Sequence, residues 1–288
     1  MKEKINVLSL FDGISCAQIA LERAGVKVAN YYASEIDKYA IKVAQHNYPL
    51  TIQVGDVTQL KGRDLPQIDI LVGGSPCQSF SNAGNGSGFQ GKSGIFWEYV
   101  RLLEEIKPQY FLLENVVMKK EWEDVITAAL GVEPIQINSR LVSGQNRVRN
   151  YWTNIPNVTL PEDKGIKFSE ISEDGGFCAG MRGRRIDPIT GKRGDNNNSI
   201  PYIQFVECRK DDKSNCLTTV AKDNVVVYAL GPRKPIKEID FRWLTPVEYE
   251  RLQTLPDGYT SVVSNNQRRK LLGNGWTVDV VAHILSHL

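Results

Sequence analysis

The sequence has no uninterrupted apolar run long enough to cross a bilayer. Its start, Met-Lys-Glu-Lys, leads into a strand-like segment rather than into the apolar core of a signal peptide. Neither a membrane-spanning protein nor a secreted one is therefore predicted, and the cytosol is the expected compartment.

Cysteine pairs at metal-binding spacing are also missing. The five cysteines are widely scattered and have no C-x-x-C spacing, and the chain has only three histidines. This set supports neither a disulfide framework nor a zinc site, so no metal is predicted. A strong excess of one charge is absent too. The 35 Lys and Arg residues against 33 Asp and Glu residues give a net charge of +2, which neither demands nor excludes a polyanionic partner.

The first half of the 288-residue chain repeats one unit, a short β-branched run followed by a turn and a helical segment. Strands are predicted over 5–10, 28–34, 51–54, 68–72 and 110–113, and helices over 17–24, 38–46 and 96–106. Strands that alternate with helices predict right-handed crossovers, and hence an α/β fold with a doubly wound, Rossmann-like parallel sheet in residues 1–155.

The alternation is lost after this first part of the chain. Residues 156–240 are rich in Gly, Asn, Asp, Arg and Lys, which predicts a smaller, irregular β-rich lobe. Residues 241–288 are predicted to brace this lobe and return to the first domain. There, Thr245 followed by Pro246 predicts the start of a helix, and the apolar spacing of 278–288 predicts a final amphipathic helix.

Cys77 lies in a Pro-braced turn, Gly-Gly-Ser-Pro-Cys-Gln-Ser-Phe-Ser, directly after a predicted strand. The polar, glycine-rich sequence that follows is typical of a mobile surface loop, a context that leaves both a reactive and an inert thiol open. Glu-Asn-Val at 114–116 directly follows the fifth predicted strand. Two strand ends that present a thiol and a carboxylate at the same edge of a sheet predict an active site.

The segment from Phe11 to Ser15 follows the first strand and opens the first helix, so its backbone N–H groups face any ligand bound above that strand. The G-x-G-x-x-G pattern typical of a dinucleotide site is absent. Instead, Glu35 is placed to bind both hydroxyls of a ribose, and Asp56 to accept a hydrogen bond from an adenine amino group. This set fits an adenosine ligand with a carboxylate and no phosphates, which points to S-adenosylmethionine. Alternatively, Glu35 and Asp56 cap the helices that follow them.

Six segments in the expected order resemble the motifs of the DNA (cytosine-5) methyltransferase family, and some of their residues are close to those of its de novo subgroup. They are residues 10–21, 74–78, 114–116, 145–149, 244–259 and 273–278. The resemblance implies a duplex DNA substrate, S-adenosylmethionine as cofactor and a monomeric enzyme in a bacterial or phage setting. It leaves open whether a restriction endonuclease accompanies the protein.

The chemistry implied by this resemblance begins at carbon 6 of cytosine, because carbon 5 is too weak a nucleophile to take a methyl group unaided. Cys77 would add at carbon 6 of a base flipped out of the duplex. Glu114 would share a proton with ring nitrogen 3, and Asn115 would hold the backbone of the catalytic loop. Arg149 would contact the base carbonyl and Arg147 would position the loop. The alternative for Glu114 is a structural ion pair with one of these arginines.

The resemblance also assigns two binding sets. The cofactor pocket is predicted to comprise Phe11, Asp12, Gly13, Ile14, Ser15, Glu35, Ile36, Asp56, Val57, Pro76, Asn274, Gly275 and Trp276. DNA contacts are predicted for Gln78, Ser79, Ser81, Arg182, Arg184, Arg185, Lys192, Arg193, Thr218 and Thr219. Arginine and lysine suit phosphates and base edges, although a charge run can also be an ordinary solvated surface.

Two other functions remain open. One is methylation of RNA, as in the tRNA-modifying branch of the family, although the Cys-Phe-Thr stretch of that branch is absent. The other is a catalytically inactive DNA-binding partner, which the presence of Cys77, Glu114, Arg147 and Arg149 argues against.

Overall fold

The computed structural model describes residues 4–76, 92–187, 189–194, 196–232 and 234–288. The larger of its two sheets has seven strands in the order β3-β2-β1-β4-β5-β7-β6. These strands are β1 Ile5–Leu10, β2 Val28–Ser34, β3 Ile52–Gln53, β4 Ile70–Gly73, β5 Tyr110–Val116, β6 Ile135–Asn138 and β7 Val148–Thr153. The helices are α1 Cys16–Arg23, α2 Lys38–Asn47, α3 Phe96–Ile106, α4 Lys120–Leu130, α5 Phe168–Ile171, α6 Pro246–Leu252, α7 Asn265–Asn274 and α8 Val278–Leu285.

Strands β1 to β5 are parallel, as the alternation of strands and helices predicts. The side chains of neighbouring residues in β1 point to opposite faces of the sheet. Val7 belongs to the core cluster under α1 and α8, whereas Leu8 belongs to the cluster that contains Phe96 and Tyr99 of α3. Because helices cover both faces, the central strands can be apolar almost throughout.

Strands β6 and β7 are absent from the prediction, and they make the sheet mixed. β7 pairs antiparallel with both β5 and β6. Its Tyr151 and Trp152 are buried, but Arg149 and Asn150 interrupt the apolar pattern that would reveal a strand. Both polar side chains find partners in the fold, since Arg149 contacts Glu114 and Asn150 donates a hydrogen bond to Glu123.

The second sheet is antiparallel throughout and has the strand order β11-β9-β8-β10-β12. Its strands are β8 Phe177–Arg185, β9 Tyr202–Cys208, β10 Val225–Val227, β11 Lys234–Pro235 and β12 Phe241–Trp243. One face carries a small core of its own around Met181 and Val206. From the other face, Cys178 and Val226 join the main core, so the second sheet packs against the larger body.

The last part of the chain returns to the large sheet. Thr245 caps α6 in a capping box, in which its side chain accepts a hydrogen bond from the Glu248 N–H and the Glu248 carboxylate accepts one from the Thr245 N–H. This confirms the predicted helix start. The final helix, α8, ends at Leu285 and packs against α1, so residues far apart in sequence complete one core. None of the helices described is long and apolar enough to span a membrane.

Candidate active site

A cavity of about 340 Å³ lies at the carboxyl ends of the parallel strands, where α/β sheets usually bind ligands. Twelve of the predicted site residues line it: Phe11, Asp12, Gly13, Ile14, Glu35, Pro76, Glu114, Arg147, Arg149, Asn274, Gly275 and Trp276. The sequence prediction did not include Cys16, Asp37, Ala40, Gly74, Ser75, Val116, Lys270, Leu271 and Gly273, which line it too. The cavity therefore draws on the ends of β1, β2, β4 and β5 together with α7.

The loop after β1 has an unusual backbone. Phe11, Gly13 and Ser15 all have φ near +60°, a region that residues other than glycine seldom occupy. The carboxylate of Glu35 stabilises this loop, because its Oε2 accepts a hydrogen bond of 2.8 Å from the N–H of Gly13. Its Oε1 accepts two more of 2.8 Å, from the N–H groups of residues 36 and 37. Asp37, and not Glu35, is the N-cap of α2.

Asp12 anchors the same loop from below. Its carboxylate is buried and accepts hydrogen bonds from the hydroxyls of Tyr31, at 2.6 Å, and Ser15, at 2.5 Å. Burial raises the pKa of Asp12 to about 6, against the lowering effect of these hydrogen bonds. Ser15 is fully buried and does not line the cavity. Asp12 thus lines the cavity and supports the loop, and Ser15 supports the loop from beneath the cavity surface.

Besides Ser15, three predicted cofactor residues lie outside the cavity lining. Asp56 uses its Oδ1 to accept a hydrogen bond of 2.9 Å from the N–H of Thr58, which resembles the capping alternative for this residue. Val57 is buried in the core. Ile36 is 72% exposed and lies next to Glu35, so it offers an apolar surface at the end of β2.

Glu114 and Arg149 form an ion pair in the cavity, with 3.1 Å between Glu114 Oε1 and Arg149 Nε. The register of β5 and β7 explains it: Glu114 lies opposite Tyr151 and Val116 lies opposite Arg149, which makes the pair diagonal neighbours on one face of the sheet. Both side chains are largely buried. The pair places an acid and a cation side by side in a partly dry site.

Gly74 permits a close approach of groups from three parts of the chain. A Cβ added at Gly74 would lie 2.7 Å from Nε1 of Trp276 and 3.2 Å from Oε2 of Glu114. The indole and the carboxylate can therefore meet above the end of β4 only because residue 74 has no side chain.

Asn115 joins the end of β5 to the loop after β4. Its amide nitrogen donates hydrogen bonds to the side chain of Ser75, at 2.9 Å, and to the Ser75 carbonyl, at 3.2 Å. Ser75 precedes the predicted nucleophile Cys77 by two residues. Cys77 and the predicted DNA contacts Gln78, Ser79 and Ser81 lie outside the described residues.

Arg147 connects the segment before β10 with the C-terminal motif. Its buried guanidinium donates hydrogen bonds to the carbonyls of Leu217, at 3.1 Å, and Gly275, at 2.9 Å. A second connection at the cavity links Lys270 on α7 to Asp37, with 3.1 Å between Nζ and Oδ2. These partners are far apart in sequence, so no local pattern indicates either contact.

Three of the predicted DNA-binding arginines lie on β8 of the second sheet, and two of these form ion pairs. Arg182 contacts Asp223 at 2.7 Å, and Arg184 donates two hydrogen bonds of 3.0 Å to Glu207. Arg185 lies over the ring of Tyr202, with 5.7 Å between its guanidinium carbon and the ring centroid.

The remaining predicted contacts lie beyond β8 in the sequence. Lys192 and Arg193 are exposed in the connection between β8 and β9. Thr218 donates a hydrogen bond of 2.7 Å to Asp223, and Thr219 is exposed. Within the described ranges, no group of three or more His, Cys, Asp or Glu side chains is placed to hold a metal ion.

The cavity at the strand ends, the loop after β1 that Glu35 stabilises and the Glu114–Arg149 pair belong to an α/β protein of the Rossmann-like methyltransferase fold. The model of the C-5 cytosine-specific DNA methylase family matches residues 5–124 and 145–288. The chain belongs to this family.

Individual relatives match over different lengths. The orphan methyltransferase M.SPRI of Bacillus phage SPR is 47% identical over 116 residues, which are 39% of this chain and 26% of that protein, so the match spans about a quarter of that relative. The type II methyltransferase M.NlaX of Neisseria lactamica is 29% identical over 98% of this chain and 95% of its own length. The structure of the methyltransferase EhMeth of Entamoeba histolytica superposes with a TM-score of 0.71 at 17% identity, covering 99% of this chain and 97% of that one, a likeness of fold.

Proposed function

We propose that this protein transfers a methyl group from S-adenosylmethionine to carbon 5 of cytosine in a short duplex DNA site. The observation that carries the proposal is that Glu114 and Arg149 line the same cavity that the Glu35-stabilised loop borders, a location that a purely structural ion pair would not require. Asn115 adds support, because it ties the acid-bearing strand to the segment that leads into Cys77. Family membership and the names of the relatives agree with this chemistry.

The residues present fit S-adenosylmethionine. A carboxylate has about four lone-pair positions, and Glu35 uses three of them for backbone N–H groups, which leaves an acceptor for a ribose hydroxyl. Exposed Ile36 and the indole of Trp276 offer apolar surface for an adenine ring. Gly13, with φ of +60° and no side chain, leaves room for a ligand close to the loop backbone. The bound cofactor supplies the methyl group as part of a sulfonium.

The catalytic roles follow from the chemistry of cytosine. Cys77 forms a bond to carbon 6, which raises the electron density at carbon 5 so that this carbon can take the methyl group. Glu114 shares a proton with ring nitrogen 3, and Arg149 contacts the base carbonyl while it holds the acid in place. Loss of the carbon 5 proton and of the thiolate then restores the ring. Because carbon 6 is shielded in a stacked duplex, the base is flipped out first, at a cost of a few kcal/mol.

Residues 156–240 are proposed as the target-recognition lobe. Exposed Lys192 and Arg193 suit contacts with phosphates. Arg182 and Arg184 are neutralised by Asp223 and Glu207, so contacts with DNA would require an exchange of partners. We therefore assign the first phosphate contacts to the exposed Lys192 in the connection between β8 and β9, and a positioning role to the paired arginines.

The test is methyl transfer from radiolabelled S-adenosylmethionine to duplex DNA and, in parallel, to tRNA, with Cys77→Ala as control. Transfer to DNA alone, lost in the variant, is the expected result. Transfer to tRNA alone would replace the proposed substrate, and no transfer to either would favour an inactive DNA-binding protein. Bisulfite sequencing of DNA from cells that express the protein then identifies the recognition site.

A further inference from the structure

Cys216 lies between the two arginines of the 145–149 motif. Its Sγ is 3.4 Å from Nη1 of Arg147 and 3.6 Å from Nη2 of Arg149, both within hydrogen-bond distance for sulfur. Arg149 is in turn 3.1 Å from Glu114. The sulfur of Cys216 therefore contacts both guanidinium groups, and through Arg149 it is linked to Glu114, the acid of the proposed active site.

The charge balance around Arg147 makes this sulfur important. The guanidinium is buried, with 3% of the residue exposed, and a buried cation without a counter-ion is costly. Its other hydrogen-bond acceptors, the carbonyls of Leu217, Gly273 and Gly275, are neutral. Across the described part of the chain, no carboxylate lies within ion-pair distance of Arg147. The sulfur of Cys216 accepts a hydrogen bond from this cation and can take a negative charge.

Arg149 is held by two neighbouring contacts. Glu114 contacts its Nε and Cys216 contacts its Nη2, the two donors on one edge of the planar group. These two contacts fix the plane of the guanidinium, and with it the direction in which its donors point. Because Nη1 also donates a hydrogen bond of 2.8 Å to the Val148 carbonyl, removing the Cys216 contact would loosen the orientation of the Arg149 guanidinium without freeing it.

We propose that Cys216 is a thiolate that serves both arginines as counter-ion and positions Arg149 beside Glu114 for methyl transfer. Burial raises the pKa of the Cys216 thiol, and the facing guanidinium groups of Arg147 and Arg149 together lower it by more. The pKa of Cys216 therefore lies below that of an ordinary cysteine. Cys216 is a positioning residue, since it acts through Arg149. The assignment rests on the function proposed above.

The thiolate can be measured without any enzymatic activity. In a Cys77→Ala background, the ultraviolet absorbance of thiolate at neutral pH is compared with and without the further change Cys216→Ser. Cys208→Ser is the matched control, because Cys208 lies on β9 and its one sulfur contact is a backbone carbonyl at 4.0 Å. Absorbance lost with Cys216→Ser and kept with Cys208→Ser is expected. An unchanged spectrum in Cys216→Ser would contradict the proposal that Cys216 is a thiolate.

Positioning is tested by kinetics with Cys77 intact. We expect Cys216→Ala to lower kcat about tenfold with little change in KM for S-adenosylmethionine, because the lost contact orients a group that acts on the base. Cys216→Ser keeps an acceptor and should restore part of the loss. Wild-type kinetics in Cys216→Ala would overturn the assignment, as would equal losses in both variants together with lower thermal stability, which would indicate a packing role. If wild type transfers no methyl group, the proposed function fails, and the positioning role fails with it even if the thiolate is present.

Discussion

Gly273 of α7 packs directly against the backbone of Thr218, so that a Cβ added at residue 273 would lie 2.6 Å from the Thr218 carbonyl oxygen. Arg147 bridges the same two segments through Leu217 and Gly275. The C-terminal motif that borders the cavity therefore touches a segment of the proposed recognition lobe. The cavity and this proposed lobe share one tightly packed junction.

Substitution of Gly273 by alanine should open this junction. Backbone atoms lie in the way and cannot rotate aside, so we expect a loss of about 1–3 kcal/mol in the free energy of unfolding together with weaker methyl transfer. Gly231→Ala is the control, since no atom lies within 4 Å of its added Cβ and its φ is not positive. Denaturant unfolding measures both variants, and equal stability of the two would refute the packing argument.

The buried carboxyl of Asp12 predicts a pH dependence. Its pKa is raised to about 6 in the folded protein, so the folded state binds the proton more tightly than the unfolded one. This contribution to stability is present below pH 4 and is lost as the pH rises through 6. Between pH 7.5 and pH 5, wild type should gain about 1 kcal/mol relative to Asp12→Asn, as measured by denaturant unfolding at both values. A difference between the proteins that is independent of pH would contradict the prediction.

Arg242 and Glu248 should contribute strongly to stability. Both oxygens of the fully buried Glu248 carboxylate accept hydrogen bonds from the guanidinium of Arg242, at 2.7 and 2.9 Å. Glu248→Ala removes both hydrogen bonds and the capping contact with the Thr245 N–H, while Arg242 keeps Asp174 as a partner, and we expect a loss of about 2–3 kcal/mol in unfolding free energy. Glu238→Ala, at an exposed position, should change it by less than about 0.5 kcal/mol. Similar effects of the two changes would show that the ion pair contributes little to the free energy of unfolding.

Glu35 and Asp56 should differ in their importance for the cofactor, although both were predicted to bind it. Glu35 lines the cavity and holds the N–H of Gly13, whereas Asp56 lies outside the lining and caps a turn. Isothermal titration with S-adenosylmethionine should show about tenfold or greater weakening for Glu35→Ala and a smaller effect for Asp56→Ala. The reverse order would indicate that the adenosine lies closer to β3 than proposed.

Local patterns in the sequence predict much of the large sheet. The bounds of β1, β2 and α3 agree with the prediction, because apolar runs between turn residues define a buried strand or an amphipathic helix without long-range information. The cavity follows from the same logic, since side chains after parallel strands meet at one edge of the sheet.

Features that depend on distant partners were not predictable. Arg149 and Asn150 interrupt the apolar pattern of β7, so the sequence does not indicate a strand there. Their partners, Glu114 and Glu123, belong to other elements. The basic run on β8 looks like a free cationic surface until Asp223 and Glu207 are placed beside two of its arginines. Pairing across the fold decides both cases, and it leaves no local signal in a single sequence.

The most direct test of the account is covalent capture by a duplex with 5-fluorocytosine at the target position, in the presence of S-adenosylmethionine. Fluorine cannot leave as a proton does, so the bond between Cys77 and carbon 6 should persist as an adduct on a denaturing gel. Wild type and Cys208→Ser should form the adduct, and Cys77→Ser should not. Methylation or adduct formation by Cys77→Ser would contradict the proposed mechanism.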